Sequence, residues 1–412
     1  MGTRILRNTT VTANPVNTAP RTPFFRFDGS VDVFLLMIMV IFVVFGLLMV
    51  YSASWDYSFY WKNDPMYQFV RQVLWMVLGI VIATVLSFID YQHLRKLALP
   101  VMFATIGLLS LVLFSHETGR ALSKGSMQPS EFAKVITIVY LSVWMDSKRE
   151  QLHDVSWGLI PLGIIIGTIS ALILLQPDNS AAFTVLMLGG LLFFLGGGET
   201  KQIIFVALMA TLVVVFVVRV TISGQSRWDQ FLLGLKDLTK AGYHISYSFK
   251  AIVNGGWFGV GIGKATTKLI GLPFAPTDSI FAVIAEELGL VGAFGTVMLY
   301  VLLVWRGLRI AFNSPDMLGS LMAAGLTLWI GIEAIINILV MVGLAPFAGN
   351  ALPFISYGGS SLVSSFIAIG ILMNISRQST KSSVTEEWSN SVANIDMRGR
   401  NRRRSVSRIS HS

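Results

Sequence analysis

Long uninterrupted apolar runs, separated by short polar breaks, dominate the chain. A helix crossing the hydrocarbon of a bilayer needs about 20 predominantly apolar residues. Ten stretches approach that length: 33–51, 73–89, 97–114, 130–145, 157–175, 181–197, 202–219, 280–305, 318–343 and 358–376. The fourth is the shortest and opens with Glu131 and Lys134. The runs are continuous rather than alternating, which argues against a membrane β-barrel. The pattern predicts an all-α, polytopic membrane protein with ten transmembrane helices. One large extracytoplasmic loop, 220–279, falls between the seventh and eighth.

Composition sharpens this picture. Of 412 residues, 54% are hydrophobic and 13% charged, against roughly 25% charged in a soluble domain. Such a chain cannot cover a water-facing surface of ordinary polarity, and it is too apolar to be disordered. There is no cysteine, so disulfides, thiolate metal sites and cysteine nucleophiles are excluded.

Charge placement orients the spans. With the N-terminus inside, Arg4, Arg7, Arg21 and Arg26 precede the first span on the cytoplasmic side. Arg95, Lys96, Lys148, Arg149, Lys201, Arg306 and Arg309 then fall in short inside loops, as the positive-inside rule requires. Both termini are therefore expected to be cytoplasmic. Residues 1–30 are polar and expected to be disordered, and the first apolar run reads as a retained anchor rather than a cleavable leader. Residues 31–376 form the membrane domain, and 377–412 a disordered basic cytoplasmic tail. The run Arg400-Asn401-Arg402-Arg403-Arg404 suits anionic lipid or a protein partner better than nucleic acid.

Candidate chemistry sits where polar residues interrupt apolar ones. Glu131 and Lys134 are three apart and share a helix face. They are either a structural ion pair near the interface or a pair facing a polar cavity. Asp178 either caps the sixth span or faces the same cavity. Asp278, in Pro276-Thr277-Asp278, could cap the eighth span or act as a general base at a cavity mouth. Glu286 or Glu287 must face protein rather than lipid, where one could pair with a cation. Glu333 and Asn337 share a face of the ninth span. The loop cations Arg227, Lys236, Lys240, Lys250, Lys264 and Lys268 suit an anionic ligand such as a phosphate, or simple solvation. The glycine-rich run 255–264 ends in Lys264 but lacks the spacing of a phosphate-binding loop. It reads as a turn that allows close backbone approach. Leu352 to Ser361 reads as a re-entrant or tightly packed external loop.

Taken in order, several motifs resemble the SEDS family (shape, elongation, division and sporulation) over residues 31–376. They are Val50-Tyr51-Ser52-Ala53-Ser54, Gln128 to Lys134, Gln176-Pro177-Asp178, Gly242-Tyr243, Thr277 to Gly289, Asn337, and Leu352 to Ser361. The FtsW/RodA-like resemblance implies a peptidoglycan glycosyltransferase of the bacterial cytoplasmic membrane. Its substrate would be lipid II, an undecaprenyl-pyrophosphate-linked disaccharide peptide. A class B penicillin-binding protein and other divisome or elongasome membrane proteins would be its partners. The resemblance implies that Asp278 is the essential acid, here the base on the acceptor hydroxyl, and that Glu131, Lys134, Asp178 and Ser356 are substrate-binding positions. Lys134, Lys264 and Lys268 would offset the pyrophosphate charge. A divalent cation, Mg or Mn, could do the same; no other cofactor is expected.

The chain departs from the family pattern at His244, Tyr247, Glu333 and Ala348. Lys268 ahead of Leu272-Pro273, together with the long polar tails, favours the division type, with the elongation or sporulation type second. A lipid-linked precursor flippase or transporter is the alternative from another functional class, and a recruiting scaffold is a third.

Overall fold

The computed structural model describes residues 31–114, 128–176, 178–237 and 241–379. The disorder expected of 1–30 and of the tail from 380 lies outside these residues, as do Pro177 and Lys240. Residues 377–379 continue the last helix. The described residues form α1 Val33–Lys62, α2 Tyr67–Phe88, α3 Leu94–Phe114, α4 Pro129–Ser147, α5 Ile160–Leu175, α6 Asn179–Leu195 and α7 Thr200–Val220. There follow α8 Ile222–Lys236, α9 Tyr243–Gly255, α10 Thr267–Ile270, α11 Ile280–Glu287, α12 Gly289–Phe312, α13 Met317–Met341 and α14 Gly359–Ser379.

Eight of these helices are long and apolar enough to cross a membrane. The shortfall from ten falls on α4, which carries Glu131, Lys134 and Asp146, and on α6, which has only 17 residues. α7 is apolar yet buries none of its most apolar stretch in the protein. Only lipid can solvate such a surface, so the protein is a multi-pass membrane protein. By contrast α13 and α14 bury about 72% of theirs and form the centre of the bundle. α13 packs against α4, α6 and α12.

Three differences from the sequence reading have clear causes. α1 continues to Lys62 rather than ending near 51, because nothing between breaks it. Asn63, with φ 54°, then caps it in the left-handed region. The predicted eighth span, 280–305, is two helices. Gly289 has φ +69° and turns the chain between them. All eight residues of α11 are buried in protein, so the membrane-crossing helix is α12. Finally, the connecting segment 220–279 contains helices α8, α9 and α10, which the sequence reading did not delimit.

Polar contacts fix the ends of the central helices. Asp32 caps α1 through the Leu35 amide (3.0 Å), pairs with Arg306 near the end of α12 (2.8 Å) and accepts from Ser376 of α14 (3.1 Å). At the other end, Ser356 ties the 352–358 turn to the segment before α11. Its hydroxyl donates to the Thr277 carbonyl (2.6 Å) and accepts from the Leu352 amide (2.8 Å).

Candidate active site

A cavity of about 760 Å³ lies where α2, α4, α6, α8, α13 and the 342–358 segment converge. Its charged lining is Arg71, Glu131, Lys134, Asp178, Arg227, Asp278 and Glu333. Each arrives from a different local cause. Pro129 at the first turn starts α4 and sets Glu131 and Lys134 on its inner face. Lys134 is 3% exposed and sits between two carboxylates, donating to Glu131 (2.9 Å) and to Glu333 of α13. Its ammonium also lies 5.5 Å from the Trp329 ring centroid, a favourable cation–π placement.

Asp178 does both things the sequence left open. One oxygen caps α6 at the Ala181 amide (3.3 Å). The other, Oδ2, accepts from Gln128 (2.7 Å) and Ser130 (3.0 Å) at the start of α4. The aspartate thereby joins two helix N-termini on the cavity wall. Asp278 is not a helix cap. Ser279 holds the N-cap position of α11, and the Asp278 side chain is half-buried and lines the cavity.

Aromatic contacts close one wall. The His244 ring lies 4.0 Å from Phe347 at 17° and 5.8 Å from Phe274 at 5°. The Arg227 guanidinium stands 5.4 Å over Phe347. Burial, and then the nearby Arg227 charge, lower the pKa of His244, so its imidazole is held neutral.

Thus Asp278, Glu131, Lys134 and Asp178 meet in one cavity, whereas Lys264, Lys268 and Ser356 do not line it. Lys268 turns the other way. It pairs with the fully buried Glu287 (3.1 Å) and donates to the Ser52 carbonyl (2.8 Å). Lys264 is exposed on the glycine-rich turn. Ser356 is spent on the main-chain contacts described above. Of the other cavity cations, Arg71 was not among the candidates read from the sequence, and Arg227 was there only as one of six loop cations. Arg71 beside Gln72 at the start of an apolar helix carries a usable signal, since a charge there must face protein or water. Arg227 carries none beyond its sign.

A second, apolar cavity of about 310 Å³ adjoins the first between α6, α7 and α8. The two share Asn179, Ser180, Arg227, Phe347, Ala348 and Asn350. A third, of about 560 Å³, continues along α6 and α7 and shares Phe183, Leu186 and Val214 with the second. A charged chamber therefore adjoins a row of apolar cavities beside the apolar, outward-facing helix α7.

Comparison with known proteins agrees with this architecture. The chain is 37% identical over 353 residues to the probable peptidoglycan glycosyltransferase FtsW of Trichlorobacter lovleyi, covering 84% of this chain and 93% of that protein. Its fold resembles a chain of a peptidoglycan synthase complex that coordinates polymerization and crosslinking (TM-score 0.67, 24% identity, 85% of this chain and 98% of that one). It likewise resembles the Thermus thermophilus rod shape determining protein RodA (TM-score 0.61, 25% identity, 84% and 97%). The model of the FtsW, RodA and SpoVE cell cycle proteins matches residues 32–381, and the chain belongs to that family.

Proposed function

We propose that the protein polymerises lipid II into peptidoglycan glycan strands, as a glycosyltransferase of cell division. The observation that carries this is that a charged chamber lined by Asp278 shares a wall with an apolar cavity beside α7. That shape suits a sugar pyrophosphate on a polyprenyl tail. Asp278 takes the proton from the acceptor GlcNAc 4-hydroxyl as that oxygen forms its bond to the donor anomeric carbon. The bond from that carbon to the pyrophosphate breaks, and the pyrophosphate leaves with the electron pair. One displacement inverts the α-linked donor to a β-linked product. Preorganised cations around the departing charge supply much of such a rate enhancement. Arg71 and Arg227 take this role in place of Lys264 and Lys268. Lys134, held by two carboxylates, orders the chamber. Glu131 and Asp178 hold the substrate-binding wall, with Ser356 supporting it from behind.

A Mg or Mn ion enters this reading only as a companion of the pyrophosphate. Among the described residues no three His, Asp or Glu side chains gather to hold a metal. The membrane body comprises ten spans, the eight apolar helices plus α4 and α6, with α8 to α11 on the outer face. The protein sits in the bacterial cytoplasmic membrane with both termini inside, and a class B penicillin-binding protein cross-links its product. Other divisome proteins and, at the basic tail, anionic lipid complete its contacts.

The test is reconstitution of the full chain with its class B partner and lipid II. Glycan made by the wild type and not by Asp278→Ala supports the reading. Full activity in Asp278→Ala removes Asp278 as the base. Lipid II crossing vesicles without polymer replaces the reading with a flippase.

A further inference from the structure

Several large apolar side chains outside the spans stand exposed on the turn after α9 and on its flanks, α9 (Val253, 76%) and α10. Trp257 is 69% exposed and Phe258 84%, with Ile262, Leu269 and Ile270 also out. A contiguous exposed apolar patch marks a contact surface. Its position says what covers it. The Leu290 amide donates to the Gly256 carbonyl (2.9 Å) and the Val291 amide to the Trp257 carbonyl (3.2 Å). Leu290 and Val291 belong to the first turn of α12, whose exposed side continues through Phe294, Met298 and Val301. The patch is therefore continuous with the exposed apolar face of a span, at its end. Tryptophan and other aromatic side chains gather at that depth, and Lys264, six residues after Phe258, adds the positive charge that meets anionic head groups.

We propose that this turn is a lipid-binding lip. Trp257 and Phe258 enter the interfacial layer of the outer leaflet beside α12, and Lys264 remains at the head-group phosphates.

The lip is rigidly joined to the site. Val260 and Gly261 amides donate to the Glu286 and Glu287 carbonyls (both 3.0 Å). The Glu286 carboxylate accepts from the Thr266 amide (3.0 Å) and from the Thr267 amide and hydroxyl. Glu286 and Glu287 end α11, whose other end adjoins Asp278. The lip thus fixes the height of Asp278 relative to the lipid phosphate plane, where a lipid-linked pyrophosphate must lie. This consequence rests on the proposed function; the insertion of the lip does not.

The chain has no cysteine, so single nitroxide labels can be placed without a background. Phe258→Cys, Lys264→Cys and, as lipid-facing reference, Phe294→Cys are labelled in the full chain. Each is reconstituted in bilayers of phosphatidylethanolamine and phosphatidylglycerol. Oxygen should outcompete a water-soluble nickel chelate as relaxant at 258, as at 294, and the chelate should win at 264. Chelate access at 258 equal to that at 264 overturns the proposal. So does exclusion of both relaxants at 258 while 294 stays open to oxygen, which would mean a protein covers the patch. In activity, W257S/F258S should cut glycan synthesis about tenfold in bilayers, the scale of 1.4 kcal/mol, and much less in detergent micelles. An equal loss in both removes the link from lip to site. Oxygen access at 258 in a protein that makes no glycan supports the lip while removing the polymerase reading.

Discussion

The side-chain amide of Asn337 on α13 donates to the main-chain carbonyl of Asp278 at 2.8 Å and to that of Asn350 at 2.6 Å. One buried amide therefore ties the backbone of the proposed base, Asp278, to the neighbouring 349–350 turn. Its own Oδ1 is buried without a hydrogen-bond partner. Asn337→Ala leaves two carbonyls unsatisfied, at about 1–3 kcal/mol each. Asn337→Asp should be worse, because it adds an unpaired charge at a position 2% exposed. Both should lower kcat for glycan synthesis. Melting curves and turnover, measured together, should rank wild type above Ala above Asp.

Lys134 answers two carboxylates, and removing it leaves Glu131 and Glu333 without their cation. Lys134→Ala should destabilise by about 3–5 kcal/mol, the range for breaking a buried ion pair. Adding Glu333→Gln should recover part of that loss, because one of the two uncompensated charges is then gone. Glu333→Gln alone should fold nearly as well as wild type, since Lys134 keeps Glu131 at 2.9 Å. Thermal unfolding of the three variants decides it. Equal melting of K134A and K134A/E333Q would show that Glu333 does not depend on the lysine.

His244 provides a pH-dependent effect. It faces Arg227, Phe274 and Phe347, and burial followed by the Arg227 charge lowers its pKa. The unfolded chain, with histidine near 6.5, then takes up the proton first as pH falls. Stability from this group is full above the unfolded value and declines as pH drops below about 6.5. His244→Phe keeps the ring stack and should show a flatter melting profile between about pH 6.5 and 5. Parallel profiles for the two proteins would count against the assignment.

Two backbones touch where α11 ends. A Cβ at Gly259 (φ +79°) would stand 2.2 Å from the Glu287 carbonyl oxygen. The backbone conformation alone costs an alanine about 1–3 kcal/mol, and the clash adds to that. Gly259→Ala should therefore reduce both folded yield and activity. Gly163→Ala, where a Cβ meets nothing within 4 Å, should be neutral or slightly stabilising in its helix. Folded yield by size exclusion separates the two.

Much of this was legible in the sequence wherever a polar residue had to explain its presence in an apolar run. Glu131, Lys134 and Glu333 lie in helices where a charge must find a partner, and they found each other. Asp178 and Asp278 stood at helix starts, so capping and site roles looked alike; only the neighbours Ala181 and Ser279 separate them. The break at Gly289 was hidden because apolar residues run through it, and hydropathy carries no record of φ. The cations were harder still. Lys268 and Arg227 are both basic residues of one segment, 220–279. One is bound to Glu287 and the other lines the chamber, a difference made by tertiary geometry alone. The His244–Phe347 stack joins residues about 100 positions apart, which no local pattern encodes.

Three cations line the chamber, Arg71, Lys134 and Arg227, against four carboxylates, Glu131, Asp178, Asp278 and Glu333. So composed, the resting protein has no surplus positive charge with which to capture soluble polyphosphates. Inorganic diphosphate and untethered disaccharides gain little by entering, whereas a ligand delivered sideways by its hydrocarbon tail already resides at the entrance. The formal excess of one negative charge in this vestibule thus works against capture of free anions and favours a ligand that its own hydrocarbon tail brings to the protein.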